Sequence, residues 1–327
     1  QILLEQYNPK IPEPTVQIDP ACLEIRKENF TNKITFHAPG LRRYKTTEYE
    51  THDVTEFVSI SLTGTNCALS CDHCKTSVLK GMTDFTQFDR SLFELCADLA
   101  EDGAKGVLIS GGSDKMGRVP LLQHIPDLKR VREELGLAIR VHPGLPDEET
   151  IAGLAKIGID GAMVDIIGHQ DTIRDVYHLD ATPNDYNEIL ANLNKYEVPS
   201  IPHIILGLHF GKMLGEETAL EMIVENNPKI LVLVVLMPLN GTPMYTSTPP
   251  SLDEIGSFFE LARKSLPDKP VMLGCARPLG PMKPAIDKLA VDAGLNGIAY
   301  PAEGIVNYAL EQELEPNFIN ACCGVSW

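Results

Sequence analysis

The sequence predicts an α/β fold, a (β/α)8 TIM-type barrel with an N-terminal wrap and a C-terminal tail closing over the active-site face. Three observations carry that expectation. Eight short apolar runs alternate with eight amphipathic stretches across roughly 250 residues, the length such a barrel needs. Most of the runs are apolar on both faces, as parallel strands covered by helices must be. The loop after the first run holds cysteines, where a doubly wound open sheet usually carries a glycine-rich dinucleotide loop.

The predicted strands are Phe57–Gly64, Gly106–Gly112, Leu137–Gly144, Gly161–Gly168, Ser200–Gly207, Lys229–Pro238, Pro270–Cys275 and Gly297–Pro301. The predicted helices between and after them are Ser91–Glu101, Pro126–Leu135, Glu148–Ile157, Tyr186–Tyr196, Glu216–Glu225, Leu252–Ser265, Lys283–Ala293 and one near Glu303–Gln312. Residues 57–312 therefore read as the barrel. Residues 1–56 are Pro-rich (Pro9, Pro12, Pro14, Pro20, Pro39) with little helical period, so they read as an extension wrapped around it. Residues 313–327 are too few to fold alone and carry Ala321-Cys322-Cys323-Gly324.

Composition narrows the function classes. A net charge of −17 argues against a nucleic-acid partner, because phosphates need a basic surface. No apolar run approaches a membrane span, and Gln1–Lys10 has no signal-peptide pattern, so a cytoplasmic, membrane-free protein is expected. Eight cysteines at uneven spacing in 327 residues do not suit the disulfide framework of a short secreted domain. Metal ligation or redox chemistry fits them better.

The chemistry concentrates in Thr65-Asn66-Cys67-Ala68-Leu69-Ser70-Cys71-Asp72-His73-Cys74, a C-x3-C-x2-C loop. Three thiolates this close suit one iron–sulfur cube with one iron left open for a small ligand. A zinc site would need a fourth nearby ligand, and His73 stands inside the loop at an awkward spacing.

The loop, its place after the first strand and the barrel pattern together resemble the radical S-adenosylmethionine (SAM) superfamily. That resemblance implies SAM and a 4Fe-4S cluster on Cys67, Cys71 and Cys74, generating a 5′-deoxyadenosyl radical. The family usually places an aromatic residue just before the third cysteine; His73 stands there in this chain. Ser110-Gly111-Gly112 resembles the family's glycine pair for the methionine amino group, and glycine permits such a close backbone approach. Asp165 lies near the end of the fourth strand, where the resemblance implies a ribose contact, a loop-capping role being the competing reading. Ile204-Ile205-Leu206-Gly207-Leu208-His209 resembles the fifth-strand adenine motif without its first glycine and its glutamate. Gly207 is the SAM-binding expectation there; His209 has three readings, a SAM contact, a pocket lining and a core histidine. Pro238-Leu239-Asn240-Gly241-Thr242-Pro243 resembles a Pro-x-x-Gly-Thr-Pro segment of biotin synthases and adds Asn240 to the expected SAM site.

The likeness to biotin synthase covers most of residues 57–312, including Gly274-Cys275-Ala276-Arg277, where Arg277 matches an arginine at that enzyme's 2Fe-2S cluster. The third, fourth and fifth strands hold no cysteine, however, so that cluster cannot be built here. The C-x4-C-x5-C motif of single-chain lipoyl synthases is absent as well. Cys96, on a helical pattern, reads as a small buried hydrophobe. Cys22, Cys275, Cys322 and Cys323 would hold a second, auxiliary 4Fe-4S cluster if the wrap and tail meet over the mouth, with Ser326 a possible substitute for one tail thiol. Unrelated thiols are the competing reading.

Phe36-His37-Ala38-Pro39-Gly40, Gly274-Cys275-Ala276-Arg277-Pro278 and Cys322-Cys323 together resemble the two-component (split) lipoyl synthases. That resemblance implies sulfur insertion into an octanoyl or mercapto-octanoyl chain on a lipoyl-carrier protein, with the auxiliary cluster as sulfur donor. It also implies a second lipoyl synthase component and an electron donor such as ferredoxin or flavodoxin. Another biotin synthase-like enzyme (biotin synthesis, a mutase or a methylating enzyme) and an iron–sulfur electron carrier remain as alternatives.

Overall fold

The computed structural model describes residues 14–39, 44–50 and 56–325. Its eleven strands are β1 (Lys33–His37), β2 (Phe57–Ser61), β3 (Thr83–Asp84), β4 (Gly106–Ser110), β5 (Ala138–Val141), β6 (Gly161–Asp165), β7 (Ser200–Leu206), β8 (Leu231–Val235), β9 (Val271–Leu273), β10 (Gly297–Ala299) and β11 (Glu315–Ile319). Every pairing is parallel, in the order β11-β1-β10-β9-β8-β7-β6-β5-β4-β2-β3. All eight predicted strand–helix units are present, and the sheet curls into a barrel-like α/β fold with helices on its outer face.

Local chemistry sets the helix starts. Ser91 and Ser251 each form a reciprocal capping box with the glutamate three residues on, Glu94 and Glu254. Asp147 caps the Glu148–Ile157 helix, and Gly158 ends it at φ +69°. Pro183 begins the Pro183–Lys195 helix, where a missing N–H costs nothing.

Strand side chains alternate between two cores. Ile60, Ile109, Ile139, Val164, Ile204 and Leu233 point outward and pack under the helices. Met163, Ile201, Val232, Val234 and Met272 point into the lumen. Each fully buried aliphatic chain contributes about 1.5–3 kcal/mol.

The N-terminal extension does more than wrap the barrel. Residues Lys33–His37 alternate, Ile34 and Phe36 join the outer core, and the segment inserts as β1 between β10 and β11. The tail also departs from expectation. After β11, residues Ala321–Val325 turn into the lumen, where Ala321, Cys322 and Val325 pack on Phe57 and Cys323 joins the Ile201–Val232 cluster. Among the described residues β11 does not pair with β2, and the tail fills that seam.

A buried ion pair ties the β9 and β10 ends to a helix. Arg277 donates from Nε to Asp287 Oδ1 at 2.5 Å and from Nη2 to Oδ2 at 3.0 Å, with both side chains fully buried. Its remaining bonds go to the Gly274 and Tyr300 carbonyls, while Asp287 Oδ2 also accepts from Ala302 N. Replacing Asp287 by Ala leaves a buried guanidinium without its counterion and should cost about 3–5 kcal/mol in chemical denaturation. A double change, Arg277→Met with Asp287→Leu, should cost clearly less. Equal losses for the two variants would show that the pair's charge is not what matters.

Candidate active site

A cavity of about 410 Å³ opens among the C-terminal strand ends, lined mostly by apolar side chains. Cys67, Cys71 and Cys74 line it, as do Gly111, Gly112, Asp165, Cys275, Cys322 and Cys323. One enclosure therefore brings together most of the residues singled out from sequence.

The first cysteine loop is held by backbone contacts to β4 and to the segment after β6. Gly112 N donates to Thr63 Oγ1 at 2.6 Å, Thr63 Oγ1 donates to Asn66 O at 2.9 Å, and Ala68 N donates to Ser113 O. Ser113 N approaches Cys67 Sγ at 3.3 Å, and Asp72 N donates to Val176 O. The turn past Cys74 places Lys75 and Thr76 at positive φ. Gly112 leaves no room for a side chain: a Cβ there would stand 1.8 Å from Asn66 O and 2.6 Å from Cys67 Cβ. A hydrogen bond from Cys71 holds the Cys74 thiol below its usual range, with His73 assisting, while the same bond and burial raise Cys71. The His73 ring lies 5.1 Å from Tyr177, and its buried Nδ1 has no partner among the described residues.

A polar group crosses the cavity floor. Asp165 stands 3.7 Å from His142 Nε2 and accepts from Tyr177 Oη at 3.4 Å. Burial opposes its charge, but His142, with His203 and His73 nearby, holds the carboxyl well below the usual range. Burial pushes His203 down to about 4, and its Nδ1 contacts Ile201 O at 2.9 Å. Inward parity on β5 and β7 was the available signal for His142 and His203, which sequence reasoning missed.

The second cysteine group comprises Cys275, Cys322 and Cys323. Burial raises Cys322 to about 12, Cys275 adds to this, and Arg140 opposes it. Burial likewise raises Cys323, with Cys275 and Cys322 adding and Arg277 opposing. Arg140, 4% exposed, donates from Nη2 to Gly324 O at 3.1 Å. Its Nε and Nη1 have no partners among the described residues.

Four expected residues are elsewhere. Cys22, on the Ala21–Asn29 helix, packs beside Gly294 on the outer side of the sheet, with Glu260, Lys264 and Asp19 as its charged neighbours. The extension that carries it runs outside the barrel before β1 enters, so Cys22 does not join Cys275, Cys322 and Cys323. Gly207, at φ +75°, packs against Pro250 and donates to buried Glu216 at 2.8 Å. His209 faces Thr172 at 3.3 Å, and Asn240 is exposed on the turn after β8; none of these three lines the cavity. Arg277 is consumed by Asp287 and two carbonyls, and Ser326 lies outside the described residues. Cys96 is buried in the outer core as expected.

The donors of the first loop fit an iron–sulfur cluster. Among the described residues no three His, Cys, Asp or Glu side chains form a ready single-metal site. A cube differs in that each thiolate takes its own iron. The three-thiol loop over a side-chain-free Gly112 suits a cube that also binds a small ligand.

A parallel barrel with such a loop at its mouth defines an iron–sulfur enzyme that works on a bound small cofactor. Residues 61–222, just under half of the chain, match the model described as the radical SAM superfamily, so the chain carries a radical SAM domain there. It is 24% identical over 219 residues to the biotin synthase of Chlorobium phaeobacteroides (strain BS1), covering 64% of each, so it spans under two thirds of that relative. Methylornithine synthase shares the fold at TM-score 0.59 and 15% identity, over 91% of this chain and 87% of the other. The FeFe-hydrogenase maturase of Carboxydothermus hydrogenoformans does so at TM-score 0.58 and 14% identity, over 92% and 71%. Among the described residues no helix is long and apolar enough to cross a membrane.

Gly112→Ala should displace the Cys67 loop and lower 5′-deoxyadenosine release from reconstituted protein about a hundredfold. Gly111→Ala, whose new Cβ would meet Thr63 Oγ1 at 3.2 Å, should be milder. Release undiminished in Gly112→Ala would refute the close backbone approach. Cys22→Ala should leave iron content unchanged, whereas Cys275→Ala should lower it; the reverse pattern would return Cys22 to the ligand set.

Proposed function

We propose that this chain inserts sulfur into a protein-bound octanoyl or mercapto-octanoyl chain, as one component of a two-protein lipoyl synthase. The observation that supports this most is the single, largely apolar cavity lined by two separate cysteine groups. When bound, a reduced 4Fe-4S cluster with SAM supplies the 5′-deoxyadenosyl radical, and a second 4Fe-4S cluster supplies sulfur.

The chain's own residues bind and orient. Cys67, Cys71 and Cys74 hold the first cluster, and Gly112, lacking a side chain, lets the Asn66-Cys67 backbone close against the end of β4. Asp165, kept ionised beside His142, accepts from the ribose hydroxyls. Leu145, Leu179, Ile205, Leu208 and Met237 wall the cavity with hydrocarbon, excluding water and straightening an alkyl chain. An unactivated carbon offers nothing to an acid or base, so no catalytic dyad is needed. The proposed partners are an octanoylated carrier protein, the second component and a one-electron donor such as ferredoxin or flavodoxin, all in the cytoplasm.

The match to biotin synthase favours a second reading, a different biotin synthase-like reaction. Against the sulfur chemistry of that enzyme, β5, β6 and β7 contain no cysteine.

The test is anaerobic incubation with octanoylated and singly thiolated carrier protein, with and without the second component, read by intact-protein mass. One carrier form should gain a sulfur while 5′-deoxyadenosine accumulates. Turnover of free dethiobiotin, with the carrier untouched, would move the chain to the biotin branch.

A further inference from the structure

We infer that His37 is the fourth protein ligand of the second cluster, in the position expected from sequence for Cys22. This inference rests on the reading that Cys275, Cys322 and Cys323 hold such a cluster.

Topology supplies the first argument. Four adjacent strands run in the order β9-β10-β1-β11, all parallel. Cys275 follows the C-terminal end of β9, His37 ends β1, and Cys322 and Cys323 follow the C-terminal end of β11. Because the strands are parallel, all three positions lie at one end of the sheet. Ile34 and Phe36 belong to the outer core, so alternation turns Thr35 and His37 toward the lumen.

The side chain supplies the second argument. His37 is fully buried, and neither ring nitrogen has a hydrogen-bond partner among the described residues. A buried imidazole with neither nitrogen satisfied is costly to keep in a fold. Its ring faces the backbone of Ala321, the residue before Cys322, at a geometry short of a hydrogen bond. His37 pairs in register with Ile319, and Ala38 N donates to Ile319 O at 3.0 Å, which fixes the tail's turn directly above it. Ligating histidines usually donate the second ring N–H to a carbonyl or carboxylate. The Ala321 carbonyl is placed for that role, leaving the other nitrogen for iron.

The donor count supplies the third. Three thiols leave one iron of a cube without a protein ligand, and imidazole is an accepted iron–sulfur ligand. His37 does not itself line the cavity, but Pro39, two residues on, does, beside Cys275, Cys322 and Cys323.

The experiment uses the full chain carrying Cys67→Ala, Cys71→Ala and Cys74→Ala, so that only the second cluster assembles. After anaerobic reconstitution and reduction, about four irons should bind. Pulsed electron paramagnetic resonance on protein made with nitrogen-15 histidine should show a coupling of the size given by bound imidazole. Adding His37→Ala should abolish that coupling and lower the iron content. Adding His37→Cys should abolish the coupling yet keep about four irons, which also serves if His37→Ala folds poorly. Four irons with no imidazole coupling, or a coupling that survives His37→Cys, overturns the ligand assignment while the second cluster stands. No iron at all in the parent variant overturns the second cluster itself.

Discussion

Parallel strands turn half of their side chains inward, and the enclosed lumen must be filled or lined with something stable. Here the chain fills much of it with its own segment Ala321–Val325, packed on Phe57, Leu108 and the Ile201–Val232 cluster. Other features follow from that insertion. Among the described residues, the seam between β11 and β2 is closed by side chains rather than by backbone pairing. Two cysteines reach the wall of the cavity that also holds the first cysteine loop. β1 is needed as well, because β11 carries the tail into place only by pairing with it.

The lumen's charge balance runs against that of the whole molecule. The chain carries a net charge of −17, yet the buried charges near the second cysteine group include two guanidinium groups. Arg277 is neutralised by Asp287 and saturated by carbonyls. Arg140 hydrogen-bonds the Gly324 carbonyl, its Nε and Nη1 have no hydrogen-bond partner among the described residues, and Asp160 favours its charge only through space. A buried cation that no carboxylate hydrogen-bonds is costly, several kcal/mol after relaxation. An anion beside Cys322 would lower that cost.

The barrel strands were legible because they are apolar on both faces and punctuated by Gly and Pro. β1 and β11 were not. Lys33–His37 alternates within a Pro-rich extension, and Glu315–Ile319 contains Pro316, which an edge strand tolerates but a central one does not. The first cysteine loop was legible as a local motif, whereas Cys22 needed three-dimensional information that spacing does not contain. Its helix packs outside the sheet although the next segment, β1, enters it. Gly207, His209 and Asn240 sit near strand ends yet do not line the cavity, so position along a strand does not decide lining. His37, His142 and Arg140 carried a signal that went unread: polar residues at inward-facing positions of otherwise apolar strands.

Proteins at 14–15% identity share this frame, so the frame does not choose the reaction. What distinguishes chains of this kind is what the inward-facing positions present. In this lumen, Asp165, His142 and His203 form a polar floor to a largely apolar cavity, with thiols in two groups on its walls. A radical made at one group must meet its target before water or a side chain intercepts it, and hydrocarbon walls slow both losses. Polar anchoring on the floor and apolar guidance above it are therefore complementary demands of one chemistry. They explain why Asp165 needs His142 as a fixed partner: a carboxylate that took up a proton would lose its hold on a polar ligand in the very place where the walls offer no substitute.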